Sequence, residues 1–258
     1  MNALSLFSGI GGLDLAFICA GGNVLAFCEI DKYCQKVLRK HWPDTPIFSD
    51  IHNLNKEALL SAGISSTVDI IYGGFPCQPF SVAGDQKGKD DTRYLWPEFS
   101  RLVADIKPRW VVAENVPGIL PLAADDVCRD LEYQGYSVGI WDYEAAAVGA
   151  KHRRERIFFV AHSGQEGASN QPERPSSTPS PNPNSALSQG EWLSSRIPQA
   201  FSVFSLYGRW QPEHRVDRVV NGLPHRVDRL RALGNAVVPQ QVYPIFKAVI
   251  ENNKEGVS

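Results

Sequence analysis

Gly73-Gly74-Phe75-Pro76-Cys77-Gln78-Pro79-Phe80-Ser81 is the stretch of this chain best suited to covalent chemistry, because it offers a thiol as nucleophile. It follows the apolar run Val68-Asp69-Ile70-Ile71-Tyr72, which reads as a buried strand. A cysteine just past a strand end stands where an open α/β sheet binds ligands. The two glycines let backbone approach a ligand and the prolines remove slack. Taken alone, Cys77 reads more readily as a structural cysteine in a turn. Glu114-Asn115-Val116 follows the next apolar run, Trp110–Ala113. Adjacent parallel strands ending side by side would turn Cys77 and Glu114 to one pocket. A thiol facing a carboxylic acid suits nucleophilic attack coupled to proton donation. Taken alone, Glu114 reads equally as a salt-bridge partner. Arg154 and Arg156 stand just before the last predicted strand, and on an extended chain they point the same way. Such a pair could hold a carboxylate or carbonyl bidentately, or depress a thiol pKa.

A second constellation reads as a cofactor site. Phe7-Ser8-Gly9-Ile10-Gly11-Gly12 joins the first predicted strand to the first helix, and its glycines permit a tight turn against a ligand. The dinucleotide fingerprint wants a third glycine at residue 14, which is Asp14, so a pyrophosphate reading is weakened. Glu29, at the end of the second strand, is placed to accept both hydroxyls of a ribose, and Asp50, at the end of the third, to meet an adenine edge. Each acid alone reads as a cap or a solvated turn. Together with the glycine turn they describe an adenosine pocket without a phosphate clamp, which suits S-adenosyl-L-methionine better than a nicotinamide dinucleotide.

The elements that must position these residues alternate along the first 160 residues. Strands are predicted at Leu4–Phe7, Val24–Cys28, near Asp50, Val68–Tyr72, Trp110–Ala113, Tyr136–Trp141 and Ile157–Ala161. Helices are predicted at Leu13–Ala20, Asp31–His41, Leu95–Ile106, Ala124–Tyr133 and, at the other end of the chain, Gln240–Asn252. The fold class expected is α/β, a doubly wound and mostly parallel sheet with helices on both faces. The pattern breaks at His162. Residues 163–190 hold five prolines and seven serines and cannot fill a core, which reads as a mobile loop. His214-Arg215-Val216-Asp217-Arg218 recurs as His225-Arg226-Val227-Asp228-Arg229, an echo with no evident purpose.

The 258 residues suffice for one α/β domain with a small appendage. No apolar run approaches membrane-spanning length, and the N-terminus reads as a strand rather than a signal peptide. The five cysteines are odd in number and form no Cys-x-x-Cys pair, which argues against a disulfide framework or zinc site and for a reducing cytoplasm. No metal site is expected. The net charge of −2 hides an asymmetry: residues 1–150 carry 12 basic against 19 acidic side chains, residues 151–258 carry 14 against 9. The second part suits an anionic partner, with Lys151–Arg156 and Arg209–Arg231 as its basic stretches. A solvated basic face is the plainer alternative.

With these residues in view, the sequence resembles the cytosine-5 DNA methyltransferases over Leu4–His162 and again from about Leu230 to Gln240. The resemblance rests on Phe7–Gly12, Glu29 with Asp31, Asp50, Gly74–Ser81, Glu114–Val116, Arg154 with Arg156, and Gly234-Asn235-Ala236-Val237-Val238-Pro239, all in family order. It implies a sheet of the S-adenosylmethionine-dependent methyltransferase type and methylation of a flipped-out cytosine in double-stranded DNA through a covalent Cys77 adduct. The resemblance makes Cys77, Glu114, Arg154 and Arg156 catalytic. Arg156 would orient Glu114 and the cytosine carbonyl, while Arg154 would lie closer to the thiol and the DNA backbone. It assigns Phe7, Gly9, Gly11, Gly12, Glu29, Asp50, Phe75, Asn235 and Val237 to the cofactor, Asn235 also supporting the base. Pro76, Gln78, Ser81, Arg93 and Asn115 fall to the substrate, with Ser81–Arg93 as a lid. His152 stands where the family usually has glutamine. The implied domains are a catalytic unit over 1–162, a short recognition region over 163–221 and a return to the catalytic unit over 222–258. The implied partners are duplex DNA and a cognate restriction endonuclease, for a monomer in the cytoplasm. Competing readings are an RNA cytosine methyltransferase, a silent DNA-binding relative, a nicotinamide enzyme and a thiol redox enzyme.

Overall fold

In the computed structural model, residues 1–76, 94–163 and 226–255 are described. Seven strands form one sheet: β1 (Asn2–Leu6), β2 (Asn23–Cys28), β3 (Ile47–Phe48), β4 (Ile70–Gly74), β5 (Trp110–Asn115), β6 (Tyr136–Glu144) and β7 (Glu155–Ser163). Their order is β3-β2-β1-β4-β5-β7-β6. The first five run parallel, β7 is antiparallel to β5, and β6 is antiparallel to β7. The mostly parallel, doubly wound sheet expected from the sequence is present.

Seven α-helices lie among the described residues: α1 (Gly12–Cys19), α2 (Lys32–His41), α3 (Lys56–Ser61), α4 (Trp96–Ile106), α5 (Leu120–Tyr133), α6 (Arg226–Asn235) and α7 (Pro239–Glu255). Local chemistry sets their ends. Asp31 caps α2 by accepting from the N–H groups of Tyr33 and Cys34. Pro97 opens α4 and left-handed Lys107 closes it. Neither α3 nor α6 was expected from the sequence.

Alternation along the strands divides the core between the two faces of the sheet. Ala3, Phe27, Tyr72, Val112 and Phe158 meet Phe17 of α1 and Phe246 of α7. Leu4, Ile71, Val111 and Phe159 meet Phe99 of α4 and Val127 of α5. Each Val, Leu, Ile or Phe side chain so withdrawn from water contributes roughly 1.5–3 kcal/mol. No helix among the described residues is long and apolar enough to cross a membrane.

The strand ends differ from expectation where it matters. Glu114 and Asn115 are not past β5 but are its last two residues, and Gly73 and Gly74 close β4. Gly74 pairs with Glu114 across the two strands, so the chain emerges toward Cys77 directly beside that acid.

Candidate active site

The turn after β1 is built from left-handed backbone: Phe7 has φ 52°, Gly9 55° and Gly11 87°. Such strain in a non-glycine residue marks a place the surrounding fold must enforce. Glu29, just beyond β2, enforces it. Its Oε2 accepts the Gly9 N–H at 2.7 Å and its Oε1 accepts the Asp31 N–H at 2.7 Å. Burial pushes the Glu29 carboxyl up, and these two backbone bonds oppose the shift. Each oxygen keeps a second lone pair for a ligand.

Gly11 and Gly12 have a different task. A side chain at Gly11 would run into Trp42, and a Cβ at Gly12 would stand 2.7 Å from the Val237 carbonyl oxygen. These glycines let α2 and the α6–α7 turn close in behind the cavity. Asp50 is committed elsewhere: it accepts from the His52 N–H at 3.0 Å and meets His52 Nδ1 at 2.7 Å, which hold its carboxyl below the usual range. Gly11, Gly12, Val237 and Asp50 are not brought to the cavity lining.

The other wall belongs to β5 and β7. Glu114 Oε1 lies 2.7 Å from Arg156 Nε in an almost buried ion pair. Burial pushes the Glu114 carboxyl up to about 7, against the pull of Arg156 and Arg154. A carboxyl poised there can give and take a proton near neutral pH. Asn115 donates through Nδ2 to the Phe75 carbonyl at 3.1 Å and accepts the Val116 N–H at 2.9 Å. It fixes the backbone two residues before Cys77.

Of the glycine pair, Gly74 lines the cavity as the sequence suggested, while both glycines are also needed for packing. A side chain at Gly73 would strike the Leu6 carbonyl, and one at Gly74 would strike Glu114 Oε2. Gly74→Ala is therefore expected to leave the fold intact and displace the acid, lowering any turnover that uses it about 100-fold. A kinetic assay beside a thermal melt checks this.

Both walls line a single cavity of ≈ 350 Å³. Phe7, Gly9, Glu29, Phe75 and Pro76 line it together with Glu114, Asn115, Arg156 and Asn235. The two arginines do not act as a pair. Arg154 has φ 37°, so the alternation of an extended strand does not reach it. It donates to the carbonyls of Gly234 and Ala236 while Arg156 holds Glu114. Cys77, Gln78, Ser81, Arg93, the expected lid, the recognition region beyond 163, the first copy of the echo and the basic stretch from Arg209 lie outside the described residues.

Asp228, Arg231 and Ala232 escaped the sequence reading of the site, and with the expected Asn235 they face the cavity from α6. Their i, i+3, i+4, i+7 spacing was the available signal. Cys34 also lines the cavity, but burial, helped by the Glu29 and Asp31 charges, pushes its thiol up to about 12. Cys28 is likewise pushed to about 12, so neither supplies a thiolate at neutral pH.

Comparison with known proteins supplies the chain's relatives. The profile of the C-5 cytosine-specific DNA methylases matches residues 1–211. The chain is 35% identical over 175 residues to the type II methyltransferase M.AquIA of a Picosynechococcus strain, covering 62% of this chain and 71% of that one. It is 38% identical over 165 residues to M.FnuDI of Fusobacterium nucleatum, covering 62% of this chain and 46% of that one. Against most such relatives it therefore spans about half the length or less. Among solved structures, a DNA modification methyltransferase encoded within an E. coli prophage superposes with TM-score 0.56 at 31% identity, covering 63% of this chain and 47% of that one. The Entamoeba histolytica methyltransferase EhMeth superposes with TM-score 0.63 over 98% of both chains, at 15% identity, a likeness of fold.

Proposed function

The chain belongs to the C-5 cytosine-specific DNA methylases, and from that premise we propose that it transfers a methyl group from S-adenosyl-L-methionine to carbon 5 of a cytosine in duplex DNA. The observation that carries this reading is the single cavity. It joins the Glu29–Gly9 wall to the Glu114–Arg156 wall and is also lined by Pro76, the residue bonded to Cys77.

The residues present fit the cofactor. Glu29 keeps lone pairs for two ribose hydroxyls, a Cβ at Gly9 would meet nothing within 4 Å, and Phe7 and Phe75 supply apolar faces. When bound, the cofactor supplies an electrophilic methyl group on a sulfonium. The chain does the rest. A cytosine buried in the stack is out of reach, so it must swing out into the cavity. The Cys77 thiolate bonds to ring carbon 6, and the electrons of the carbon 5–carbon 6 double bond move toward nitrogen 3, which takes a proton from Glu114. Arg156 holds Glu114 in place and offers its remaining N–H groups to the base's carbonyl. Carbon 5 is then nucleophilic and accepts the methyl group. Loss of its proton to solvent restores the double bond, expels Cys77 as thiolate and returns the nitrogen 3 proton to Glu114.

In this reading residues 1–162 and 222–258 form the catalytic unit and 163–221 the recognition region. The protein works as a monomer in the cytoplasm, beside a cognate endonuclease. Incubation with methyl-labelled cofactor and either duplex DNA or RNA tests the reaction. Label is expected in DNA, at cytosines that then resist bisulfite conversion. Label confined to RNA, or to another base, overturns the proposal.

A further inference from the structure

The turn between α6 and α7 is tied to the start of β7 from two directions. Arg154 donates through Nη2 to the Gly234 carbonyl at 2.8 Å and to the Ala236 carbonyl. These carbonyls flank Asn235, which lines the cavity with Glu114 and Arg156. Gln241, fully buried in the first turn of α7, donates through Nε2 to the Arg154 carbonyl at 2.7 Å and to the Tyr143 carbonyl at 2.9 Å. Arg154 is thus gripped at its backbone by α7 and grips with its side chain the turn from which α7 starts. On the far side, the bare Gly12 lets the Val237 carbonyl settle against α1.

Arg154 itself is not among the residues that line the cavity, whereas Arg156 is. We propose that Arg154 and Gln241 are positioning residues that act through Asn235: together they clamp the Gly234–Ala236 turn so that the Asn235 side chain is presented beside Glu114, and neither touches the reacting base. The donor chemistry supports this. One planar guanidinium nitrogen carries two hydrogens at a fixed angle, enough to satisfy two carbonyls at once, and the Gln241 amide does the same for two more. Arg154 holds two carbonyls of the turn, and Gln241 holds the start of α7 to the carbonyls of Arg154 and Tyr143, so that together they define the turn's orientation as well as its position. The left-handed Arg154 backbone is the strain this arrangement sustains.

The catalytic consequence rests on the methyl-transfer reading; the clamp itself does not. A double-mutant cycle separates the possibilities. Arg154→Ala and Asn235→Ala are each expected to lower kcat about 100-fold, the scale of a misplaced group near the chemistry. The double variant is expected to match Asn235→Ala within about twofold, because the clamp then has nothing left to present. Losses that multiply to about 10⁴-fold mean that Arg154 acts on the substrate or on Glu114 independently of Asn235, and overturn the proposal. Gln241→Leu is expected to reproduce Arg154→Ala, and Arg154→Lys to recover part of the rate. The lysine variant takes the place of the alanine one if the latter does not fold. A second readout needs neither cofactor nor DNA. The Asn235 side-chain amide signals in ¹⁵N-resolved NMR, identified by their loss in Asn235→Ala, are expected to move toward free-amide positions in Arg154→Ala and Arg154→Lys. Unmoved signals contradict the clamp, whether or not the parent protein transfers methyl groups.

Discussion

Glu114→Gln is expected to lower methyl transfer by about 10²–10⁴-fold, the usual worth of a positioned general acid. Glutamine keeps the size of the side chain and can hydrogen-bond nitrogen 3, but it has no proton to give. The pH profile distinguishes this from a loss of shape. Burial sets the Glu114 carboxyl at about 7. In the parent protein the donating form is filled below that value, and turnover is expected to fall as pH rises through it. In the glutamine variant that alkaline limb is expected to vanish. Stability carries the same sign. The folded pKa lies above the ordinary 4.5, so the stability of the neutral form is complete below 4.5 and is lost as pH climbs through about 7. An alkaline limb that survives unchanged in Glu114→Gln contradicts the role given to this acid.

Cys77→Ser is expected to cost at least about 10⁴-fold in turnover, on the scale of losing a covalent nucleophile. Serine is nearly isosteric, but its hydroxyl is not ionised at neutral pH, whereas a thiol is partly so. Cofactor affinity is expected to be unchanged, because the contacts proposed for the cofactor are those of Glu29, Gly9 and Phe7. No described cysteine at the cavity offers a substitute, since Cys34 is held protonated. Turnover at the parental rate in Cys77→Ser contradicts covalent catalysis.

The central strands were legible because a doubly covered parallel sheet demands unbroken apolar runs, and Ile70–Tyr72 and Trp110–Ala113 are such runs. Glu29 and Glu114 could be found by their place at strand ends alone. The order β5-β7-β6 was not legible: period-two patterning says that Glu155–Ser163 is a strand, not which neighbour it pairs with. Helix α3 spans only Lys56–Ser61, too short for a periodic signal. In α6, the basic residues that suggested a DNA face hid the stripe from Asp228 to Asn235. The roles of Gly73, Gly74 and Gly12 depend on what lies across the fold, namely Leu6, Glu114 and Val237, which local sequence does not carry. Arg154 misled for a similar reason. Alternation is a property of extended backbone, and its φ of 37° follows from the clamp around it.

The proposed reaction turns on a carbon–sulfur bond between Cys77 and a cytosine, which 5-fluorocytosine would make permanent. After methyl transfer carbon 5 carries fluorine where a proton must leave, so Cys77 cannot be expelled. The decisive measurement is mass spectrometry of the protein incubated with S-adenosyl-L-methionine and a random-sequence duplex containing 5-fluorocytosine. The expected product is one protein–DNA adduct that survives denaturation, maps to the peptide holding Cys77 and carries the added methyl group. No adduct from a preparation that methylates ordinary duplex, or an adduct at Cys34 or any other cysteine, contradicts the site.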